Sequence, residues 1–340
     1  MTNTGLGQDG YIQFQKETAY DTATVDSLTS LPLTEGTLLS VQQQIEKLNI
    51  INSRIKQTPQ EGRVTVGPAD LTFPMVPDLI GNFMNLVFGL EDAVAGDGET
   101  TAYTHTFLMP ITGSTDGISW TMRQAIGGDL ADQYNGVKMT KFILKSDSEG
   151  YMQIVATLVG VGHDDNDVDR DAAITISSKK FMTFCDGKVE ITPSGVAKFE
   201  QKVNSFEIEF NWGFAEDGAS FKVGSDEAQA PIFGTIPNVM FRCEIDAERR
   251  FEDWAEEIKT FKIDVTLTSE EMVVGTVPYS FDVEIPSAIL AAETNRENAV
   301  DNNVMSLEFT ALGGTSTGSG ATSVPAEVRV SDMTATYTGY

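Results

Sequence analysis

Val203-Asn204-Ser205-Phe206-Glu207-Ile208-Glu209-Phe210 places Phe206, Ile208 and Phe210 at every second position with glutamates between them. A period of two puts alternate side chains on opposite faces, so this is a strand with one face in a core and one in water. The same rhythm recurs outward from it. Tyr103-Thr104-His105-Thr106-Phe107 alternates, as do residues 118–122, 152–158, 239–245, 261–268, 279–285, 304–312 and 328–337. Val64-Thr65-Val66 and Leu71-Thr72-Phe73 read as two strands flanking a turn at Gly67-Pro68. The best helix candidate is short, residues 77–90. Ile80, Phe83, Met84 and Val87 keep helical spacing behind Pro77 and Asp78, and Gly89 is a stop. The fold class is therefore mainly all-β, with one short helix packed on a sheet.

Length and composition bound the rest. At ~150 residues per domain, 340 residues allow two to three domains. We divide the chain into an arm (1–35), a first β-domain (36–162), an acidic connector (163–179), a second β-domain (180–312) and a linker with a last strand (313–340). The arm is polar and rich in Gly and Thr, and is expected to order on a neighbour, so that its removal would leave a folded protein. Residues 313–323 hold only Gly, Ser, Thr and Ala, a flexible composition. Val137-Lys138-Met139-Thr140-Lys141-Phe142-Ile143-Leu144 is lettered like residues 203–210, which suggests tandem duplication of one β-domain.

Fifty acidic residues against 23 basic ones give a net charge of −27. Such a chain repels polyphosphate, which argues against a polymerase, a repressor or a DNA-packaging protein. Two cysteines, Cys185 and Cys243, are too few for a disulfide framework or a zinc site and read as buried thiols. The opening residues lack a signal-peptide pattern and no apolar run approaches about 18 residues, so the expectation is an intracellular or virion protein with no membrane association.

Catalytic and ligand motifs fail on context. Gly5-Leu6-Gly7-Gln8-Asp9-Gly10 matches a dinucleotide fingerprint, but Ile12-Gln13-Phe14 behind it reads as strand where the pyrophosphate needs a helix. Gly314-Thr315-Ser316-Thr317-Gly318 matches a nucleophile elbow, but His105 and His163 both precede it and no helix follows. Asp165, Asp167, Asp169 and Asp171 recur like the start of a calcium loop, yet Arg170 and Ile176 stand where that loop needs Gly and Glu. Glu252-Asp253 and Glu256-Glu257 around Trp254 read as a solvated face. The expectation is no catalytic residue, no cofactor and no metal.

A further set of residues carries a resemblance. Gly5, Gly7, Asp9, Tyr11 and Ile12 precede Glu17-Thr18-Ala19-Tyr20-Asp21-Thr22, and this opening resembles that of tail tube proteins of long-tailed bacteriophages. In that family the motif commonly reads Glu-Thr-x-Tyr-Gly-Thr, so Asp21 departs from it. Residues 103–107 are similar to its Tyr-x-His-x-Phe strand. Tyr134-Asn135-Gly136-Val137 with residues 142–144 and Gly150 is similar to a strand pair of that family. Residues 204–208, 281–286 and 307–312 are similar to its closing strands. The resemblance covers residues 5–312.

It implies a β-sandwich closed into a barrel with a flanking helix, related to the tube protein of type VI secretion systems. It further implies a structural virion protein of the tail, assembled in the host bacterial cytoplasm into rings that stack into a tube for genome delivery. Tape-measure protein and viral DNA would occupy the lumen without tight binding, and other tail proteins would meet the tube ends. Sixfold rings are usual for that family. Two β-domains per chain would instead give a trimer with pseudo-sixfold symmetry, which we favour over a hexamer. The alternatives are a surface, fibre or decoration β-sandwich and a carboxylate-based glycan-active enzyme.

Overall fold

The computed structural model describes residues 11–23, 25, 28–46, 60–88, 91–95, 102–109, 119–125, 130–147, 150–169, 177–212, 237–246, 248–291, 295–298, 303–316 and 324–332. Among them every strand pairing is antiparallel. The first half contains β1 (Tyr11–Lys16), β2 (Thr29–Leu31), β3 (Glu35–Thr37), β4 (Val41–Glu46), β5 (Gln60–Pro74), α1 (Ile80–Phe88), β6 (Glu91–Ala95), β7 (Tyr103–Leu108), β8 (Trp120–Ala125), β9 (Leu130–Asp147), β10 (Gln153–Gly160) and β11 (Gly162–Asp169). The second contains β12 (Gly187–Pro193), β13 (Phe199–Glu200), β14 (Ser205–Asn211), β15 (Asn238–Asp246), α2 (Arg249–Glu256), β16 (Thr260–Val274), β17 (Val277–Leu290), β18 (Asn295–Asn298), β19 (Asn303–Ala311) and β20 (Glu327–Asp332).

One wide sheet runs through both halves in the order β4, β5, β10, β9, β14, β15, β19, then β17 and β18. Alternation decides which face is buried. Phe142, Leu144, Ile154, Ala156, Phe206, Ile208, Phe210, Phe241, Leu307 and Phe309 all lie on one side and are buried. A single core joins them to Ile80, Phe83, Met84 and Phe88 of α1 and to Phe251 of α2. Phe210 packs on Phe88, Phe142 and Trp212 at ring separations of 5.6–6.3 Å.

The two halves repeat one pairing scheme. In the first, β1 pairs with β2 and β8, β8 with β9, β9 with β10, β10 with β5, and β5 with β4. In the second, β12 pairs with β13 and β16, β16 with β17, β17 with β19, β19 with β15, and β15 with β14. A helix follows β5 and another follows β15. Each half ends with a strand returning to the first part of its long strand, β11 to β9 and β20 to β17. The counterpart of β9 is thus β17, and the counterpart of β14 is β4. The similar lettering of residues 137–144 and 203–210 belongs to neighbours in one sheet (β9 and β14), not to equivalent strands. Alternation reports burial on one face, and both strands share that environment.

Several local expectations change. The expected turn at Gly67-Pro68 is absent. β5 runs through that cis peptide as one strand, with β4 alongside its first part and β10 alongside its second. The helix begins at Ile80 rather than Pro77, because residues 77–79 form a turn closed by Val76 carbonyl bonds to the Leu79 and Ile80 amides. A second helix, α2, forms around Trp254, where the sequence left a short helix or a loop open. Residues 163–169 of the acidic stretch read as a connector belong to β11, whose backbone finds partners in β9 despite its aspartates. Residues 11–16, within the polar arm, are a core strand with Ile12 and Phe14 buried. Removing residues 1–35 would therefore take a strand from the core, which overturns the expectation that such a truncation stays folded.

Because one core spans both halves, the chain is expected to unfold in a single transition. Phe210→Ala should lower stability by about 3–5 kcal/mol with an unchanged denaturant slope, read by fluorescence and circular dichroism together. Two separated transitions would contradict the shared core.

Candidate functional site

Partnered residues across an antiparallel ladder point the same way. The exposed face of the wide sheet can therefore be followed strand by strand. One row runs Gln153, Lys145, Glu207, Arg242, Glu308. The next runs Thr72, Val155, Ile143, Glu209, Met240, Thr310. A third runs Asp70, Thr157, Lys141, Asn211, Asn238. The first row alternates sign across four adjacent strands, and each opposite-charge pair contributes about 0.2–1 kcal/mol.

Arg242 is held on this face by three carboxylates. Its Nη1 donates to Glu207 at 2.6 Å and to Glu209 at 3.2 Å, and its Nε donates to Glu308 at 2.7 Å. The Glu308 bond, ahead of Glu207, raises the guanidinium further above its ordinary range. Lys141 pairs with Glu209 at 3.1 Å. Six described carboxylates (Asp70, Glu207, Glu209, Glu244, Asp246, Glu308) share the face with Lys141, Lys145 and Arg242. The basic groups are a minority, and Arg242 is already bound to anions.

The residues singled out in the sequence do not gather into a catalytic centre. His105 is buried on β7, 3.5 Å from Asp332. The side chains of His163, Asp165, Asp167, Asp169, Arg170, Asp171 and Ile176 lie outside the described residues, as do Gly5, Gly7, Gly10, Thr317 and Gly318. Gly314 bridges Val324, and Ser316 is buried. The expectation of two buried thiols holds for one: Cys185 lies exposed in the short turn Phe184–Asp186, whereas Cys243 is buried on β15, where burial pushes its thiol up to about 12. Glu252 and Asp253 sit on α2, whose Phe251 faces the core and whose Trp254 packs on Phe199 and Phe261. Asp264, Glu284 and Glu327 meet Lys262 and Arg329 at 3.0–3.9 Å, an ion network rather than a free acid pair. Among the described residues no helix is long and apolar enough to cross a membrane.

A different convergence was not anticipated from the sequence. Glu17 is buried, and its carboxylate accepts bonds from the Asp21 amide (2.9 Å), the Gly136 amide (2.9 Å), the Thr121 hydroxyl (3.2 Å) and the Ser119 hydroxyl. Burial raises its carboxyl above the usual range, and these bonds oppose the rise. The Lys138 ammonium lies 4.8 Å from the Tyr20 ring centroid. A Cβ at Gly136 would meet the Tyr20 ring at 3.4 Å, and Gly136 has φ +61°. Asp21 has φ 56°, a left-handed conformation that favours glycine. The two motifs 17–22 and 134–137 therefore form one joint, which fastens the end of β1 to β8 and β9.

A family model described as phage tail tube protein matches residues 7–339. The chain belongs to that family. Its role is structural, as a component of the phage tail tube. No curated protein matches it. The conformation at Asp21 gives a physical reason for the glycine usual at that place in the motif.

Glu17→Ala would leave buried donors without an acceptor and is expected to cost about 2–4 kcal/mol. Glu17→Gln keeps the shape and removes the charge. Because the folded carboxyl titrates high, its contribution is fully present below about pH 4.3 and is lost as pH rises through the raised value. The stability of the native protein relative to Glu17→Gln should therefore fall as pH rises above about 4.3, measured by urea titration at each pH.

Proposed function

We propose that three chains close a ring of pseudo-sixfold symmetry, and that the rings stack into the tail tube of a long-tailed phage. The observation that carries this reading is the repeated pairing scheme. It marks two units, residues 11–169 and 187–332, that share one continuous sheet through β9 and β14. Two tandem units per chain supply six from three chains, with the wide sheets side by side as an inner barrel. Closure gives the two open edges of the wide sheet a partner, which removes the aggregation hazard of an open sheet there. A hexamer of single-barrel subunits is the second reading. The relation to the type VI secretion tube protein belongs to the same proposal.

The exposed face of the wide sheet lines the lumen in this reading. Among the described residues its carboxylates outnumber its cations, and Arg242 is bound to Glu207, Glu209 and Glu308, so passing phosphates find little to hold. Viral DNA and the tape-measure protein occupy this channel without tight binding. The ends meet other tail proteins, and assembly takes place in the host bacterial cytoplasm. The protein performs no catalysis and carries no cofactor.

Cross-section class averages of assembled tubes test the ring. Three chains with six repeating lobes are expected. Six identical chains per ring, or a second half lying outside the central barrel, would refute the arrangement. In a companion measurement, assembled tubes should not retain duplex DNA at physiological salt. The triple variant Glu207→Gln/Glu209→Gln/Glu308→Gln should release Arg242 from its three carboxylates and produce salt-sensitive retention, with a steeper dependence of binding on salt. Submicromolar binding by the native tube would contradict an anionic lumen.

A further inference from the structure

The join inside the chain is a template for the join between chains. The second part of β9 has β10 along one edge and β14 along the other, with Lys141 opposite Asn211 and Asp147 opposite Ser205. Its counterpart in the second half is the end of β17 continued by β18. There β19 occupies one edge, opposite residues 288–290 and again opposite residues 295–298. On the other edge β16 reaches Ile289 through Thr260, just as β8 reaches Val137 of β9 through Trp120. Beyond Ile289, no strand among the described residues lies on that edge of β18, where β9 has β14.

The strand that would fill it is equally identifiable. β14 leads into β15 and pairs with it on one edge, giving its other edge to β9. β4 leads into β5 and pairs with it on one edge, and its other edge meets no strand among the described residues. Neither β4 (Val-Gln-Gln-Gln-Ile-Glu) nor β18 (Asn-Arg-Glu-Asn) contains a proline or lysine, the residues that commonly protect an edge. Val41 is exposed at the start of β4. The approach to β4 is fixed: the Leu39 amide donates to Gln124 Oε1 at 3.2 Å, its carbonyl accepts from Gln124 Nε2 at 2.7 Å and from the Tyr134 hydroxyl at 3.1 Å. The edge is thus presented before any partner arrives.

Polarity agrees. Strands alternate in direction from β4 through β5, β10, β9, β14, β15 and β19 to β18, because each pair is antiparallel. Eight places is an even number, so β18 of one copy meets β4 of the next antiparallel, and the alternation continues around a ring without a break. We propose that this β18–β4 pairing is the ring-closing contact between copies of the chain, repeating the β9–β14 join. The inference rests on the ring reading above and adds the strands that make the contact.

Cysteine cross-linking tests it. In a Cys185→Ser background, Gln42 or Gln43 is replaced by cysteine together with Asn295 or Glu297, and assembled tubes are oxidised. Antiparallel neighbours bring Cα atoms within the roughly 4.4–6.8 Å that a disulfide needs. At least one combination should give covalent trimers on a non-reducing gel, with no product from single-cysteine variants. Normal tubes by electron microscopy with no cross-link in any combination would overturn the β18–β4 contact and leave the tube reading standing. Cross-linked products closing at six chains would keep the contact and remove the trimer. Native protein that forms no rings under any condition would remove both. As a second arm, Gln43→Pro and Glu297→Pro should each melt like the native monomer yet fail to form rings. Tubes of normal length from both variants would overturn the contact.

Discussion

Seven antiparallel residue pairs between β9 and β14 hold the two halves of this molecule in one sheet. Everything else follows from that junction. It aligns Lys145 with Glu207 and, through β15 and β19, with Arg242 and Glu308, so it sets the charge pattern of the exposed face. It also places Phe142 beside Phe210, which fuses two potential cores into one. A slip of one residue at this pair would turn the phenylalanines to water and the glutamates inward. The register is therefore enforced from both faces at once.

Much of this was legible, for a simple reason. Strands half-buried in an antiparallel sheet write their burial into the sequence with a period of two, and residues 205–211, 238–246 and 303–311 came out as strands on that ground. What escaped were elements whose role depends on distant partners. Ile12 and Phe14 sit among polar residues, and only β8 and α1 show them to be core. The aspartates of β11 hide a strand whose backbone is satisfied by β9. Gly67-Pro68 carries the letters of a turn, yet β5 continues through it because two different strands lie alongside its two parts.

The candidate surface was partly legible too. An acidic composition foretold an anionic face, but not that Arg242 would be surrounded by Glu207, Glu209 and Glu308, since these residues come from three strands. The duplication was suspected from the wrong pair of strands. Equivalence lies in who pairs with whom, and letters of a strand report only its environment. Likewise Glu17 and Gly136 looked like two separate motifs, and folding joins them in one hydrogen-bonded corner.

The width of the continuous sheet has a geometric consequence. In the proposed trimer, eight strand positions per chain make a closed barrel of twenty-four. At about 4.8 Å between strands, its backbone circle is about 37 Å across before tilt widens it. Allowing about 5 Å of side chain on the inner side, half the ~10 Å spacing of packed sheets, the open bore is at least about 27 Å. Strand count, fixed by backbone pairing, then sets the calibre of the conduit. Side-chain substitutions on the inner face can retune its charge while the calibre stays constant.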